Sequence, residues 1–370
     1  MIDESVPQPT KSVRMQSIIF ARGVAALFVV FHHAGRMAAQ ERFFGEEAFR
    51  GVYDRFTGVN YFFVLSGFFI GWLSWKNIGE TGQVGRFFAK RMARIYPVYW
   101  LVLIPHIILY LLIPSAGKPW QRDPINILLS FFLLPYVDPP IYGVAWTLVQ
   151  ELLFCIVMAI VIAIGPRGIW LLALWGLTVA IAQFTHLPHV YPATVLLNGA
   201  NFQFLLGIAT SRLLVRWLPD KPHLWAFAGA TIYILFIFMG GAVSLHPFLD
   251  QTIYGVSTCI LLIGLVGMEK RRPIAFPPVL LAFGAASYSI YLVHPVFLSV
   301  GTNISSRILK GTGISTELVI LMLIIMATAV AMIFDRLVEA PVTKIISPVL
   351  ARWLERPFVI WRRKNQLSQI

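Results

Sequence analysis

The chain is dominated by apolar runs long enough to cross the roughly 30 Å hydrocarbon layer of a bilayer at about 1.5 Å per helical residue. They lie near residues 18–38, 57–75, 96–113, 143–164, 168–184, 196–216, 222–241, 251–268, 279–304 and 315–334. A lipid-spanning segment must satisfy its own backbone hydrogen bonds, which runs of this length do as helices. The expected fold is therefore all-α: a polytopic membrane bundle of about ten transmembrane helices. An eleventh apolar piece, INILLSFFLLPY, bounded by Pro124 and Pro135, is too short to cross and reads as re-entrant or interfacial. Composition agrees, since 58% hydrophobic and 13% charged residues leave too little charge to clothe a soluble globule of this size.

The net charge of +13 would suggest nucleic acid in a soluble protein, but here the basic residues fall in short segments between apolar runs. That pattern sets membrane orientation, and no nucleic-acid partner is expected. With the N-terminus inside, 21 Lys and Arg residues are cytoplasmic and eight are outside, Arg22 being within a span. The asymmetry places both termini in the cytoplasm and supports an even number of spans. Residues 1–15 read as a polar cytoplasmic tail and 16–345 as one membrane domain. Residues 346–370 read as a basic amphipathic tail on the inner membrane surface, in contact with lipid. The first run lies behind Lys11 and Arg14 as a secretory signal would, yet its Arg22, His32 and His33 mark it as an uncleaved span. Cys155 and Cys259 lie in apolar stretches and read as packing residues.

Ionisable groups inside spans are expensive and seldom kept without a use. Arg22 and His33 stand eleven residues apart, about three helical turns, so they share a face with roughly 16 Å between their levels, while His32 points away. An isolated residue of either kind reads as packing or snorkelling; the pair on one face reads as function. The next span, GVNYFFVLSGFFIGW, carries Asn60 and Ser66, with Gly67 and Gly71 spaced for close approach of another helix. In GRFFAKRMARIYPVYW, Arg86, Lys90, Arg91 and Arg94 are equally suited to anchoring in anionic lipid and to clamping the phosphates of a cytosolic ligand. Glu151 in GVAWTLVQELLFCIV is an acidic residue well inside an apolar span and needs a cationic or hydrogen-bonding partner. His33 and Arg22 are its candidates, since a carboxylate commonly holds an imidazole in one tautomer. ASYSIYLVHPVF adds Ser287, Tyr288, Tyr291 and His294, with Tyr291 a helical neighbour of both Tyr288 and His294. No histidine or carboxylate cluster has ligand spacing, so no metal is expected.

Together these stretches resemble the membrane acyltransferase-3 family, integral-membrane O-acyltransferases of bacterial surface glycans. The residues that carry the resemblance are Arg22 with ten residues before His33 and Ala34, GVNYFFVLSGF, RFFAKRMARIYPVYW, WTLVQE beginning at Trp146, SYSIYLVHP, and VEAP at 338–341. They run in order from about residue 16 to 345, and WTL with its Glu and SYSIYLVHP look closest to the exopolysaccharide O-acetyltransferase branch. Asn60 stands where the family usually has Asp, and VQELLF lacks the usual aromatic-rich continuation.

The resemblance implies an enzyme of the bacterial inner membrane with acetyl-CoA as acyl donor. Its acceptor would be a hydroxyl of a lipid-linked or exported glycan, and polysaccharide-assembly proteins would be further partners. On that footing Arg86, Arg91 and Arg94 would hold the CoA phosphates, Arg22 would stand on the path of the pantetheine arm, and His33 would serve as general base oriented by Glu151. Asn60, Ser66, Trp146, Tyr288, Tyr291 and His294 would bind substrate or support the site. Direct transfer and an acyl-histidine intermediate both remain open. The rival readings are a transporter or glycan flippase, against which stands the absence of repeated halves, and an inactive scaffold.

Overall fold

A computed structural model describes residues 15–185, 191–244 and 246–367. Its helices are α1 (Gln16–Ala38), α2 (Gly58–Ser74), α3 (Val84–Leu112), α4 (Pro124–Phe131), α5 (Trp146–Ile164), α6 (Gly168–Ala182), α7 (Ala193–Leu196) and α8 (Ala200–Arg216), followed by α9 (Pro222–Val243), α10 (Pro247–Arg271), α11 (Pro278–Ala285), α12 (Ser287–Leu309), α13 (Thr316–Phe334) and α14 (Ala340–Leu367). No strand occurs among the described residues. Large apolar side chains on the outside, such as Trp170 on α6, Phe227 on α9 and Ile325 on α13, face outward unpaired, as lipid contact requires. The protein is a multi-pass membrane bundle.

Eight helical stretches among the described residues are long and apolar enough to cross, or nine with the bent pair α11–α12, whose axes differ by 66°. This is one fewer than the ten expected from the sequence. The difference lies in the 40-residue stretch Gly143–Ala182, which the sequence reading divides. The structure also breaks it, at Gly165, whose φ of +78° ends α5 and turns the chain back so that Gly168 packs on Val161. At 15 residues α6 rises only about 22 Å. It nevertheless runs from the end of α5 beside Gly79 to Gln183, which donates to the Leu197 carbonyl just ahead of α8. It thus carries the chain back across the bundle, and the number of crossings stays even.

Basic segments gather at one end of the bundle, here called the basic end: Arg212 and Lys270 lie over Trp75 and Trp72 at the end of α2, and Arg271 donates to the Pro219 carbonyl. α1 starts there, where its first backbone N–H groups, those of Gln16 and Ser17, donate to the Glu269 carboxylate at 3.0 and 2.5 Å. The carboxylate, contributed from the end of α10, satisfies donors that a helix N-terminus leaves open. α2 and α8 touch backbone to backbone: a Cβ on Gly67 would lie 1.9 Å from the Phe204 carbonyl oxygen, and one on Gly207 would lie 2.0 Å from that of Val64. Gly71 faces Ser211 on the same helix, so the expected close approach at Gly67 and Gly71 is met by α8. In the core beside them Phe154 stacks on Phe204 at 4.2 Å between ring centres.

Two boundaries differ from the sequence reading. α3 begins at Val84 rather than 96, because its charged first three turns are helical and α14 lies antiparallel along them. The Ser347 hydroxyl donates to the Ala93 carbonyl at 2.5 Å, and Phe358 sits over Gly85. The proposed tail boundary at 346 therefore falls inside one continuous helix, α14. The short apolar piece is α4, capped at its start by Asp123 accepting from Asn126 N–H at 3.0 Å. Its last carbonyls are taken by α3: Tyr99 donates to Ser130, Trp100 to Phe131 and Tyr96 to Phe132, at 2.7, 2.9 and 2.8 Å. These partners stand about 18–24 Å below the far end of α3, so α4 dips into the bundle and returns, as a re-entrant segment does.

Candidate active site

A cavity of about 140 Å³ opens between α1, α2, α3, α5 and α12. Eight of the residues singled out in the sequence line it: Arg22, Ser66, Arg91, Arg94, Glu151, Ser287, Tyr288 and Tyr291. The chemistry of the wall is set by three guanidinium groups against one carboxylate. Arg91 and Arg94 are one turn apart on α3 and so project together. Glu151 accepts from the Ser66 hydroxyl at 3.2 Å and pairs with Arg91 at 3.9 Å. Arg22 makes no hydrogen bond or ion pair among the described residues, and the charged groups that act on it are Arg94, Glu339 and Glu151. The surplus of positive charge favours an anion, and guanidinium groups suit phosphate in particular.

Tyr291 closes the other side of the cavity. Its hydroxyl lies 2.7 Å from that of Thr147 and donates to the Val144 carbonyl at 2.8 Å, which fixes the first turn of α5 to α12. Tyr288 donates to the Ile95 carbonyl at 3.0 Å and so holds α12 to α3. One turn beyond Tyr291 the fully buried His294 ring centre lies 6.0 Å from that of Tyr291 and 5.1 Å from that of His33. His294 Nδ1 lies 3.0 Å from the Ile290 carbonyl, an acceptor only, so this nitrogen carries the proton. Its Nε2 is then a lone pair, buried and without a partner among the described residues. Pro295 lies inside α12 here and takes one N–H out of its ladder, and Tyr142 donates to the nearby Leu292 carbonyl.

Four of the expected placements are corrected. Glu151 is not the partner of His33: its hydrogen bond and ion pair go to Ser66 and Arg91, and the ring facing His33 is His294. Periodicity gives the face of one helix but not which neighbour that face meets. Arg86, about two turns before Arg94, is exposed and does not line the cavity, so the expected basic quartet reduces to Arg22, Arg91 and Arg94. Asn60 lies off the cavity as well, donating to Thr57 at 2.8 Å and accepting from Gln203 of α8 at 2.6 Å. An amide fits this place because it meets a hydroxyl on one side and an amide N–H on the other. Trp146 stands on another face of α5, its ring 5.8 Å from that of Phe63. His32 points away as expected, toward the Tyr53 carbonyl at 3.1 Å.

Sequence reasoning passed over two carboxylates, the buried Glu269 and the half-buried Glu339. Glu269 caps α1, and Glu339 accepts from the Ser289 hydroxyl at 2.5 Å. Both stand at span ends beside basic or acidic neighbours, where hydropathy reads loop; Glu339 was present only as part of VEAP.

A multi-pass bundle with an anion-receptive cavity, and a pair of facing histidines one turn beyond its Tyr291 wall, fits a membrane enzyme that handles a phosphate-bearing substrate. The acyltransferase-3 family model, which describes an acyltransferase domain, matches residues 15–336, and the chain belongs to that family. Membership supports an acyltransferase and weighs against the transporter reading. The chain is 28% identical over 270 residues to the exopolysaccharide production protein ExoZ of Rhizobium meliloti (strain 1021), a match covering 66% of this chain and 77% of that one. With the acyltransferase MdmB of Streptomyces mycarofaciens it shares 24% identity over 332 residues, 79% and 81% of the two chains. With protein 2 in the picA locus of Rhizobium radiobacter it shares 35% over 134 residues, 36% of this chain and 60% of that one. No solved structure matches the chain.

Proposed function

We propose that the protein moves an acetyl or similar short acyl group from acyl-CoA to a hydroxyl of an exported or cell-surface glycan, working in a bacterial inner membrane with both termini in the cytoplasm. One observation carries the reading: a cavity with three arginines against one carboxylate is separated by Tyr291 from His294 and His33. The basic end then faces the cytoplasm, where acyl-CoA is found, and Arg22 and Arg94 bind its phosphates together with Arg91, which Glu151 and Ser66 hold in place. The similarity to an exopolysaccharide production protein supports a glycan as acceptor.

His33 is the general base. It takes the proton of the attacking hydroxyl as the oxygen bonds to the thioester carbonyl; the tetrahedral intermediate expels the CoA thiolate, and the imidazolium returns the proton to sulfur. His294 Nε2 is unpaired among the described residues while its ring lies 5.1 Å from that of His33; a shift of either ring that brought an imidazole N–H of His33 onto that lone pair would leave the other His33 nitrogen free as base. His294 thus takes the orienting role that the sequence reading gave to Glu151.

The test is transfer of label from radiolabelled acetyl-CoA by the purified protein in membranes, with and without deacylated exopolysaccharide, wild type beside His33→Ala. Transfer to glycan by wild type, reduced by about 10²–10⁴-fold in His33→Ala that still inserts, is the expected result. Retained transfer would remove His33 from the mechanism.

A further inference from the structure

α5 is a partition between two cavities. Thr147, Leu148 and Glu151 face the arginine cavity, whereas Trp146, Val149 and Gln150 line a second one of about 260 Å³. The second cavity lies between the first turns of α5, the loop that returns from α4, and the segment leading into α8. The two walls touch, because Phe63 lines the first cavity and meets the Trp146 ring edge to face at 5.8 Å.

The linings differ in kind. No lysine or arginine lines the second cavity among the described residues; its polar side chains are amides, hydroxyls and one carboxylate, Asp138, set beside an indole. Some of these groups are already engaged. Asn126 donates to the Trp120 and Pro139 carbonyls, both at 3.1 Å, and Ser130 donates to Asn126 and accepts from Ile141 N–H, so both serve to pin the return loop. Gln150 is not engaged in this way. It is 4% exposed, and its Oε1 has no hydrogen-bond partner among the described residues. A buried polar atom left unpaired costs on the order of 1–3 kcal/mol, and here it belongs to a side chain on a cavity wall. Asp138 makes no ion pair or hydrogen bond among the described residues, and Asn198 uses only its Oδ1, to cap Ala200 N–H at 2.9 Å.

We propose that this second cavity is the acceptor subsite and that it holds one neutral sugar ring of the glycan, an inference that rests on the transferase reading above. A pyranose offers an apolar face of C–H groups and a rim of hydroxyls that both donate and accept. The Trp146 ring meets the first, and Gln150, Asp138 and Asn198 meet the second. A neutral ring gives no reason for arginine, which separates this wall from the one facing the donor. The hydroxyl to be acylated then approaches the first cavity past Phe63 and Trp146, beside the Thr147–Tyr291 contact.

The full-length protein in lipid nanodiscs is tested by saturation-transfer NMR with methyl glucoside, methyl galactoside and methyl mannoside as probes. At least one glycoside should receive saturation on its ring protons. Gln150→Leu should weaken that binding about tenfold, as loss of one or two hydrogen bonds would, and Trp146→Ala should abolish it. Because Gln150→Leu and Asp138→Asn nearly preserve side-chain volume, they keep the test decisive where Trp146→Ala fails to fold. Wild type that saturates none of the glycosides, or equal binding by wild type, Gln150→Leu and Asp138→Asn, overturns the subsite. The two readings fail separately: acyl transfer with an unchanged acceptor KM in Gln150→Leu sinks only the subsite, whereas glycoside binding with no transfer sinks only the transferase reading.

Discussion

The two ends of the candidate site are built in opposite ways. The arginine cavity is assembled from five helices, each lending one to three of the polar groups singled out in the sequence: Arg22 from α1, Ser66 from α2, Arg91 and Arg94 from α3, Glu151 from α5, and Ser287, Tyr288 and Tyr291 from α12. The histidine end needs only α1 and α12, whose rings meet at 5.1 Å. A wall drawn from many helices can distribute charge over a long anionic ligand, and losing one member leaves the others in place. A two-helix contact has no such redundancy. It holds one imidazole in one position, and there loss of a single ring should be felt in full.

The contrast predicts a graded series. His33→Ala should cause the largest loss of transfer, with His32→Ala far less harmful because His32 faces the Tyr53 carbonyl. His294→Ala comes next. It removes the ring against His33 without touching the donor cavity, so kcat for transfer should fall by up to about 10²-fold, the scale of a small misplacement of a reacting group, while the KM for acetyl-CoA stays within error. Its pH–rate profile should also move, since the ring packed against His33 has gone; an unaltered profile and kcat would reduce His294 to packing.

Arg22→Ala and Arg94→Ala should act the other way. Each should raise the KM for acetyl-CoA about tenfold or more, the scale of a charge-assisted hydrogen bond, with a smaller change in kcat. Arg86→Ala is the least of the series, because the exposed Arg86 side chain lies outside the cavity; a KM effect equal to that of Arg94→Ala would restore the quartet that the structure divides. Steady-state kinetics in proteoliposomes separates all of these.

What was legible in the sequence follows the same division. The Arg22–His33 register on one helix could be read directly, because within a helix spacing fixes direction, and Arg22 lines the cavity while His33 stands outside its lining. The glycines of α2 announced close contact, though not that α8 would supply it. Glu151 was correctly marked as needing a partner and wrongly given His33, since nothing in one helix reveals its azimuth among its neighbours. The start of α3 was placed late for a different reason. Charged turns lower hydropathy whether or not they are helical, and it is α14, from the other end of the chain, that lies along them. Asn60 looked like a lost charge; its partner Gln203 lies 143 positions away in the sequence and turns it into a fitted amide.

The most direct test of the central claim, that the arginine cavity and the histidine pair are two ends of one path, is sided transfer in oriented proteoliposomes. Labelled acetyl-CoA is supplied only on the side of the basic end, and deacylated exopolysaccharide is trapped only on the other. Label on the trapped glycan, lost in both His33→Ala and the Arg22→Ala, Arg94→Ala double variant, is the predicted result. Label that reaches glycan only when donor and acceptor share one side would contradict the path and return the two histidines to the interior of an ordinary helix contact.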